Sequence, residues 1–348
     1  MDTLTHAISG AVLARATAAN KPSATDLSLT ARTVAGFLVA AFPDSDYVLT
    51  FFDPMLYLTA HRGVTHSIIM LPLWALALSF VLQLLWRQRY HWKKFFPVCA
   101  LSLAIHIFGD VITSFGTMIF SPFSDVRISL STTFIIDLYF SGILLAGLVL
   151  SFPFRKFKMA ALTLAILCGY IIMQAILQLQ AREHAQDYAN INGLTSARIS
   201  VLPQPLSPFN WKLIIENGDD IHMAYVNLFT EHAPRDPAPD AGFLEIVASA
   251  YYPVKQAQWE IINRFGNNNR EQALARLVWQ QEGLERFRWF AMFPVLFRYE
   301  DNNEKQCAWF ADMRFSLKGR QPPFLYGMCR EKMDAHWNLN RLSRKIPQ

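Results

Sequence analysis

Four short segments of this chain put imidazoles and carboxylates where they could share a metal ion. Asp2-Thr-Leu-Thr-His6 sets a carboxylate and an imidazole four residues apart, a spacing that brings both to one face of a helix. Pro43-Asp44-Ser-Asp46 places two carboxylates at the end of an apolar run. His61-Arg-Gly-Val-Thr-His66 offers two imidazoles just before a long apolar stretch, and His106-Ile-Phe-Gly-Asp110 repeats the i,i+4 pairing inside another. Any one of these is commonplace, since Asp-X-Asp is frequent in turns and a lone loop histidine is ordinary. Together, in a region poor in charge, they form a nitrogen and oxygen donor set suited to zinc, or to two divalent ions about 3.5–4 Å apart. No cysteine joins them, which points away from a closed structural zinc and toward an open site.

The surroundings give His106 and Asp110 their weight. They sit inside an apolar run over 95–118, and a charged Asp at a bilayer centre costs about 2.5–3.5 kcal/mol on insertion scales. Such a residue is kept when it faces a partner or a cavity. A hydrogen-bonded pair that only ties helices together is the plainer account, and the neighbouring clusters weigh against it. Asp137 opens a further apolar run and reads as a helix N-terminal charge. Thr113, Ser114 and Thr117 are expected to hydrogen-bond within the bundle.

Composition then sets the elements that must position these groups. The chain has 348 residues, 52% hydrophobic and 17% charged, where about 25% charged is usual for a soluble domain. Residues 1–180 hold 12 Lys/Arg, 8 Asp and no Glu, whereas 181–348 hold 20 Lys/Arg and 19 Asp/Glu. Apolar runs over 67–86, 95–118, 134–154 and 159–179 approach the ~20 residues of a membrane span, and 4–19 and 30–42 are shorter candidates. The expected fold is a polytopic α-helical membrane bundle of four to six spans over 1–180, followed by a small soluble α+β domain over 181–348. Basic residues cluster at 87–94 and 155–158, so these loops belong on the cytoplasmic side. The 44–66 and 120–133 segments and everything after residue 179 then face the other side, the periplasm in a bacterium. The N-terminus joins them if 4–19 crosses, and with no basic n-region before that run a cleavable signal peptide is not expected. The basic residues gather on no single face, so no nucleic-acid partner is expected.

In the polar half, 211–216, the turn at 217–220 and 221–229 read as a β-hairpin. A helix is expected over 272–289, and strands over 290–299, 306–317 and 323–329. His222, His232 and His336 share no ligand spacing and read as scattered surface histidines. Cys307 and Cys329 fall in the half assigned to an oxidising compartment, which makes a disulfide between them a fair expectation.

The ordered set Met1-Asp-Thr-Leu-Thr-His6-Ala-Ile-Ser-Gly10, Phe42-Pro-Asp44-Ser-Asp46, His61-Arg-Gly-Val-Thr-His66-Ser67 and His106-Ile-Phe-Gly-Asp110-Val-Ile-Thr-Ser-Phe-Gly-Thr117 resembles the YdjM-like family of bacterial inner-membrane proteins, regarded as metal-dependent hydrolases. The resemblance covers roughly residues 1–180. It implies, through a distant likeness to zinc-dependent phospholipase C and P1-type nucleases, a helical core that binds a metal cluster. It marks His6, Asp44, His61, His66, His106 and Asp110 as metal-site positions, with Asp2 and Asp46 as further members.

The chemistry expected of such a site is hydrolysis of a phosphoester or lipid ester, the substrate being a phospholipid or a periplasmic phosphoester. One to three divalent ions, zinc first among them, would lower the pKa of bound water toward about 7. Asp2 or Asp46 would act as general base or orient a ligating histidine. Arg62 would hold a phosphate oxygen through its fork of donors, or anchor to headgroups. A phosphatase with a histidine nucleophile lacks its other motifs here, and a His-Glu-X-X-His protease is excluded because residues 1–180 contain no Glu. The competing class is a membrane transporter or metal-binding module whose polar half is an interaction domain.

Overall fold

Helices in the first half begin where a short polar side chain can take up free backbone amides. Asp2 accepts from Thr5 N to open α1 (Thr3–Ala16), and Ser28 accepts from Ala31 N to open α2 (Leu29–Ala41). A 3-10 segment, Pro43–Phe51, follows α2 almost directly. Asp53 caps the short α3 (Pro54–Ala60), and a 3-10 turn at Val64–His66 leads to α4 (Leu71–Leu85). His91 caps α5 (Trp92–Val111), and Asp137 caps α6 (Leu138–Leu150) through Tyr139 N and Phe140 N. The long α7 runs over Lys156–Ile191. The computed structural model describes residues 1–20, 23–153, 156–334 and 336–342, so the basic cluster at 155–158 lies partly outside the described residues.

The chain divides into two compact units, Met1–Ile176 and Leu177–Gln348. Two helices among the described residues are long and apolar enough to cross a membrane, Trp92–Val111 and Lys158–Ile191. Two bent pairs raise the number to four if each is one span: Leu29–Ala41 with Pro43–Phe51, bent by 40°, and Pro54–His66 with Leu71–Leu85, bent by 79°. The apolar run at 67–86 thus yields a helix of 15 residues and that at 134–154 one of 13 residues. Polar side chains set both limits. Ser67 Oγ accepts from Ile69 N and Met70 N and donates to Ser121 O, so the chain is turned before α4 starts. Asp137 fixes the start of α6.

The helices that carry the chemistry meet closely. A Cβ on Gly10 would lie 2.3 Å from Gly36 O, and one on Gly36 would lie 2.5 Å from Gly10 O. Only glycine at both positions lets α1 and α2 touch backbone to backbone. Val98, Cys99 and Leu103 of α5 pack with Ala35 and Val39 of α2 and with Ala75 and Leu82 of α4.

The second unit is built on two sheets. One comprises β1 (Arg198–Pro203), β2 (Asn210–Asn217) and β3 (Asp220–Asn227) in antiparallel order, with β4 (Tyr252–Pro253) parallel and β5 (Glu260–Asn263) antiparallel to β3. The expected hairpin is β2–β3, with Asn217 opposite Asp220 and Gly218 at φ +64° in the turn. The other sheet is an antiparallel meander of β6 (Pro294–Asp301), β7 (Lys305–Asp312), β8 (Leu325–Glu331) and β9 (Asn338–Arg341). Leu202, Ile214 and Ile221 of the first sheet share a core with Val295, Ala311 and Leu325 of the second. The helix expected over 272–289 is two helices, Asn269–Trp279 and Glu285–Phe290. Arg288 Nη1 binds Gln281 O between them, so the chain turns there. His222 is buried against the Tyr188 hydroxyl at 3.1 Å, not a surface histidine. Cys307 and Cys329 stand opposite each other on β7 and β8 and form a disulfide.

Candidate metal centre

Four side chains from three separate stretches bring their donor atoms together. Asp44 stands in the first turn of the 3-10 segment after α2, His66 ends the 3-10 turn before α4, and His106 and Asp110 lie one turn apart on α5. Their ligand atoms all lie within 4.8 Å of one another. His66 Nε2 is 3.1 Å from Asp110 Oδ2 and 3.6 Å from Asp44 Oδ1, while His106 Nε2 is 3.4 Å and 3.7 Å from the same two oxygens. His66, His106 and Asp110 are wholly inaccessible to solvent.

The outer hydrogen bonds decide what these atoms can offer. His106 Nδ1 lies 2.6 Å from Ala40 O. A carbonyl only accepts, so Nδ1 carries the proton and Nε2 turns a bare lone pair toward the carboxylates. Thr65 donates its hydroxyl proton to Asp46 Oδ2 at 3.0 Å, so its oxygen accepts from His66 Nδ1 at 2.9 Å, and His66 Nε2 is likewise left bare. Asp110 is divided in the same sense. Its Oδ1 takes Arg62 Nη2 at 2.7 Å, His6 Nε2 at 3.0 Å and the Met1 ammonium, whereas Oδ2 has no hydrogen-bond donor. His66 Nε2, His106 Nε2 and Asp110 Oδ2 are all buried without hydrogen-bond partners. Orphaned lone pairs in one buried spot repel each other and cost free energy. Asp44, His66, His106 and Asp110 would hold a divalent cation, which would turn that repulsion into coordination, and the two-imidazole, two-carboxylate set fits zinc.

The remaining expected site residues stand around this core. His6 stacks on His106 with ring centroids 3.7 Å apart and reaches Asp110 from the opposite side to His66. Gly109 makes room for it, because a Cβ there would sit 3.0 Å from His6 Cε1. His61 Nδ1 bonds Asp46 Oδ1 at 2.7 Å, and its ring stacks on Tyr57. Asp46 also accepts from Arg62 N and Thr65, so it orients the loop and, through Thr65, His66. Arg62 is 1% exposed, and its guanidinium is spent on Asp110, on Thr113 Oγ1 at 2.9 Å and on the Phe115 ring. Asp2 serves as the α1 cap, with both oxygens on Thr5. Asp137 caps α6 and accepts from the Tyr170 hydroxyl at 2.7 Å, and one turn on Ser141 meets Thr5 of α1 at 2.8 Å.

Spacing alone did not reveal Thr65, the Ala40 carbonyl or the Gly10–Gly36 contact. Thr65 lies within the His61–His66 motif, but its role depends on the hydrogen bond that it donates to Asp46. A cleft of about 340 Å³ opens against Asp46, Gly63 and Thr65, walled on the other side by Met118, Ser121 and Pro122. Asp46 and Thr65, which hold His66, line this cleft.

The family model for YdjM inner membrane proteins matches residues 1–181. A Bacillus subtilis (strain 168) protein described as uncharacterized protein YfhP is 28% identical over 186 residues, which are 52% of this chain and 56% of that protein. The similarity therefore spans little more than half the length of either chain. No solved structure matches. With the family match covering more than half of its length and all of its metal-site motifs, the chain belongs to the YdjM inner membrane protein family.

Proposed function

We propose that the protein is a metal-dependent hydrolase of the bacterial inner membrane that cleaves a phosphoester or lipid ester with activated water. One observation carries this reading: ligand atoms of Asp44, His66, His106 and Asp110 lie within 4.8 Å of one another, and three of these residues have an orphaned buried atom. A bound divalent ion, zinc by preference, supplies Lewis acidity that makes water a nucleophile near neutral pH. The chain's own groups do the rest. Ala40 O and Thr65 hold the two imidazoles in their ligating tautomers, and Arg62 and His6 hold Asp110. Asp46, at the edge of the cleft, is the carboxylate placed to take a proton from an incoming water. The apolar wall of that cleft suits a lipid ester better than a polar nucleotide.

The placement agrees with a site near the non-cytoplasmic face. Asp110 lies 18 residues beyond Trp92, the start of α5 next to the basic 87–94 cluster, or about 27 Å along a helix. On this reading the second unit belongs in the periplasm, where the Cys307–Cys329 bridge would persist.

The test is elemental analysis of detergent-purified protein beside a His66→Ala/His106→Ala variant, followed by phosphoester and phospholipid hydrolysis assays. About one equivalent of zinc or manganese, lost in the variant together with hydrolysis, supports the proposal. Bound metal without hydrolysis would favour a transport or metal-binding module, and absence of metal after reconstitution would overturn the site.

A further inference from the structure

We propose a second, metal-independent nucleophilic site in the sheet domain, formed by Ser316 and Lys212 at the head of an apolar cleft between the two sheets. Lys212 of β2 is completely buried. No carboxylate pairs with it among the described residues. Its Nζ has three neighbours instead: Met313 O at 2.7 Å, Ser316 O at 2.6 Å and Ser316 Oγ at 2.9 Å. Burial favours the neutral amine, and desolvation lowers its pKa to about 7 against the opposing pull of Asp312, a carboxylate already paired with Arg314.

The three neighbours are chemically unequal, and this carries the inference. A neutral amine has two hydrogens and one lone pair. Two of the contacts are carbonyl oxygens, which only accept, so they take both hydrogens. The lone pair is left toward Ser316 Oγ at 2.9 Å, and the hydroxyl proton has two acceptors, that lone pair and Met313 O at 3.1 Å. Ser316 thus lies within hydrogen-bond distance of a buried general base, the arrangement that activates a serine nucleophile. The Tyr225 hydroxyl, 3.0 Å from Ser316 Oγ and 3.1 Å from Ser316 O, fixes the position of the hydroxyl from the other side.

The nucleophile is reachable and its base is not. Ser316 and Tyr225 line a cleft of about 530 Å³ whose walls include Tyr252, Trp259, Phe297 and Arg320. Such a lining fits an ester with an apolar acyl group. Ser316 Oγ would attack the acyl carbon while Lys212 Nζ takes the serine proton. The ester C–O bond breaks, the alcohol leaves with the proton carried by Lys212, and the acyl group stays on Ser316. Water then attacks the acyl-serine, releasing the carboxylic acid and restoring the hydroxyl.

The test is to treat the full-length, detergent-purified protein with a fluorophosphonate and to map the modified peptide by mass spectrometry. Phosphonylation of Ser316 with loss of fluoride is expected, absent in Ser316→Ala and slowed at least about a hundredfold in Lys212→Met. Labelling is expected to persist in His66→Ala/His106→Ala, which separates this site from the metal centre. An unlabelled Ser316 in folded wild-type protein would overturn the proposal, whether or not Lys212→Met folds. Equal labelling of wild type and a folded Lys212→Met would overturn it too, leaving Lys212 as a tie between β2 and the turn after β7.

Discussion

Arg62 places its Nη2 2.7 Å from Asp110 Oδ1, and so leaves Asp110 Oδ2 to face the histidines. The arginine reaches this position from a backbone at φ +61°, a left-handed conformation that a non-glycine residue adopts at a cost. In return its N–H reaches Asp46 at 3.2 Å while its guanidinium reaches Asp110. One residue thereby ties the orienting carboxylate to the ligating one. Arg62→Met is expected to weaken metal binding by about 10–100-fold and to destabilise the metal-free protein by about 1–3 kcal/mol, because Asp110 loses one of its two buried cationic partners and keeps the Met1 ammonium. Metal titration and thermal unfolding of the same sample check both.

Thr65 tests the proton path to His66. Thr65→Val keeps the shape and removes the hydroxyl that accepts from His66 Nδ1 and donates to Asp46. The imidazole is then free to take the other tautomer, and a metal-affinity loss of about 10–100-fold is expected. Thr65→Ser should restore most of it. Equal affinity in wild type and Thr65→Val, measured by competition with a chromogenic chelator, would dissociate Thr65 from the site.

Gly10 tests the helix contact. An alanine there meets Gly36 O at 2.3 Å and Ala40 Cβ at 2.4 Å, so α1 must move away from α2. Ala40 is also the residue whose carbonyl holds His106. Gly10→Ala is expected to cost about 1–3 kcal/mol of stability and to lower metal content. Thermal unfolding and elemental analysis in the same detergent would show whether the two effects travel together.

The disulfide tests the sheet domain and the compartment at once. Cys307 and Cys329 close a loop with a sequence separation of 22 residues, for which a bridge stabilises by about 3 kcal/mol. Non-reducing peptide mapping of protein taken from native membranes should recover the linked peptides. Reduction should lower the unfolding temperature of the domain. Two free thiols in that preparation would argue for a reducing compartment.

Lys212 makes stability depend on pH in a definite direction. Desolvation lowers its pKa from 10.5 to about 7 in the folded chain. Between these values the unfolded chain binds the proton and the folded chain does not, so stability rises with pH from about 7 to about 10.5. Lys212→Met should flatten that slope. Hydrogen exchange of β2 amides, corrected for intrinsic rates across this range, reports the slope locally.

The local spacing of residues determined much of this protein. The i,i+4 pair His106 and Asp110 shares a helix face by geometry alone, and the scarcity of charge before residue 180 separates the helical unit from the sheet unit. The β2–β3 hairpin follows from two strand-like runs around Asn217-Gly218. Hydropathy also located the apolar helices, but it misjudged the length of two of them. It counts apolar residues and does not register a hydroxyl such as Ser67 that redirects the backbone.

Tertiary structure alone decided which of the eight candidate carboxylates and imidazoles meet. Periodicity states which residues share a face, not which face another element presents to it. The Gly10–Gly36 approach and the turn at Arg62 set those faces, bringing Asp44, His66, His106 and Asp110 together and leaving His6, His61 and Asp46 to support them while Asp2 caps α1. The same limit hid Lys212 and Ser316, which lie 104 residues apart. A buried amine acquires its chemistry from neighbours that only folding supplies.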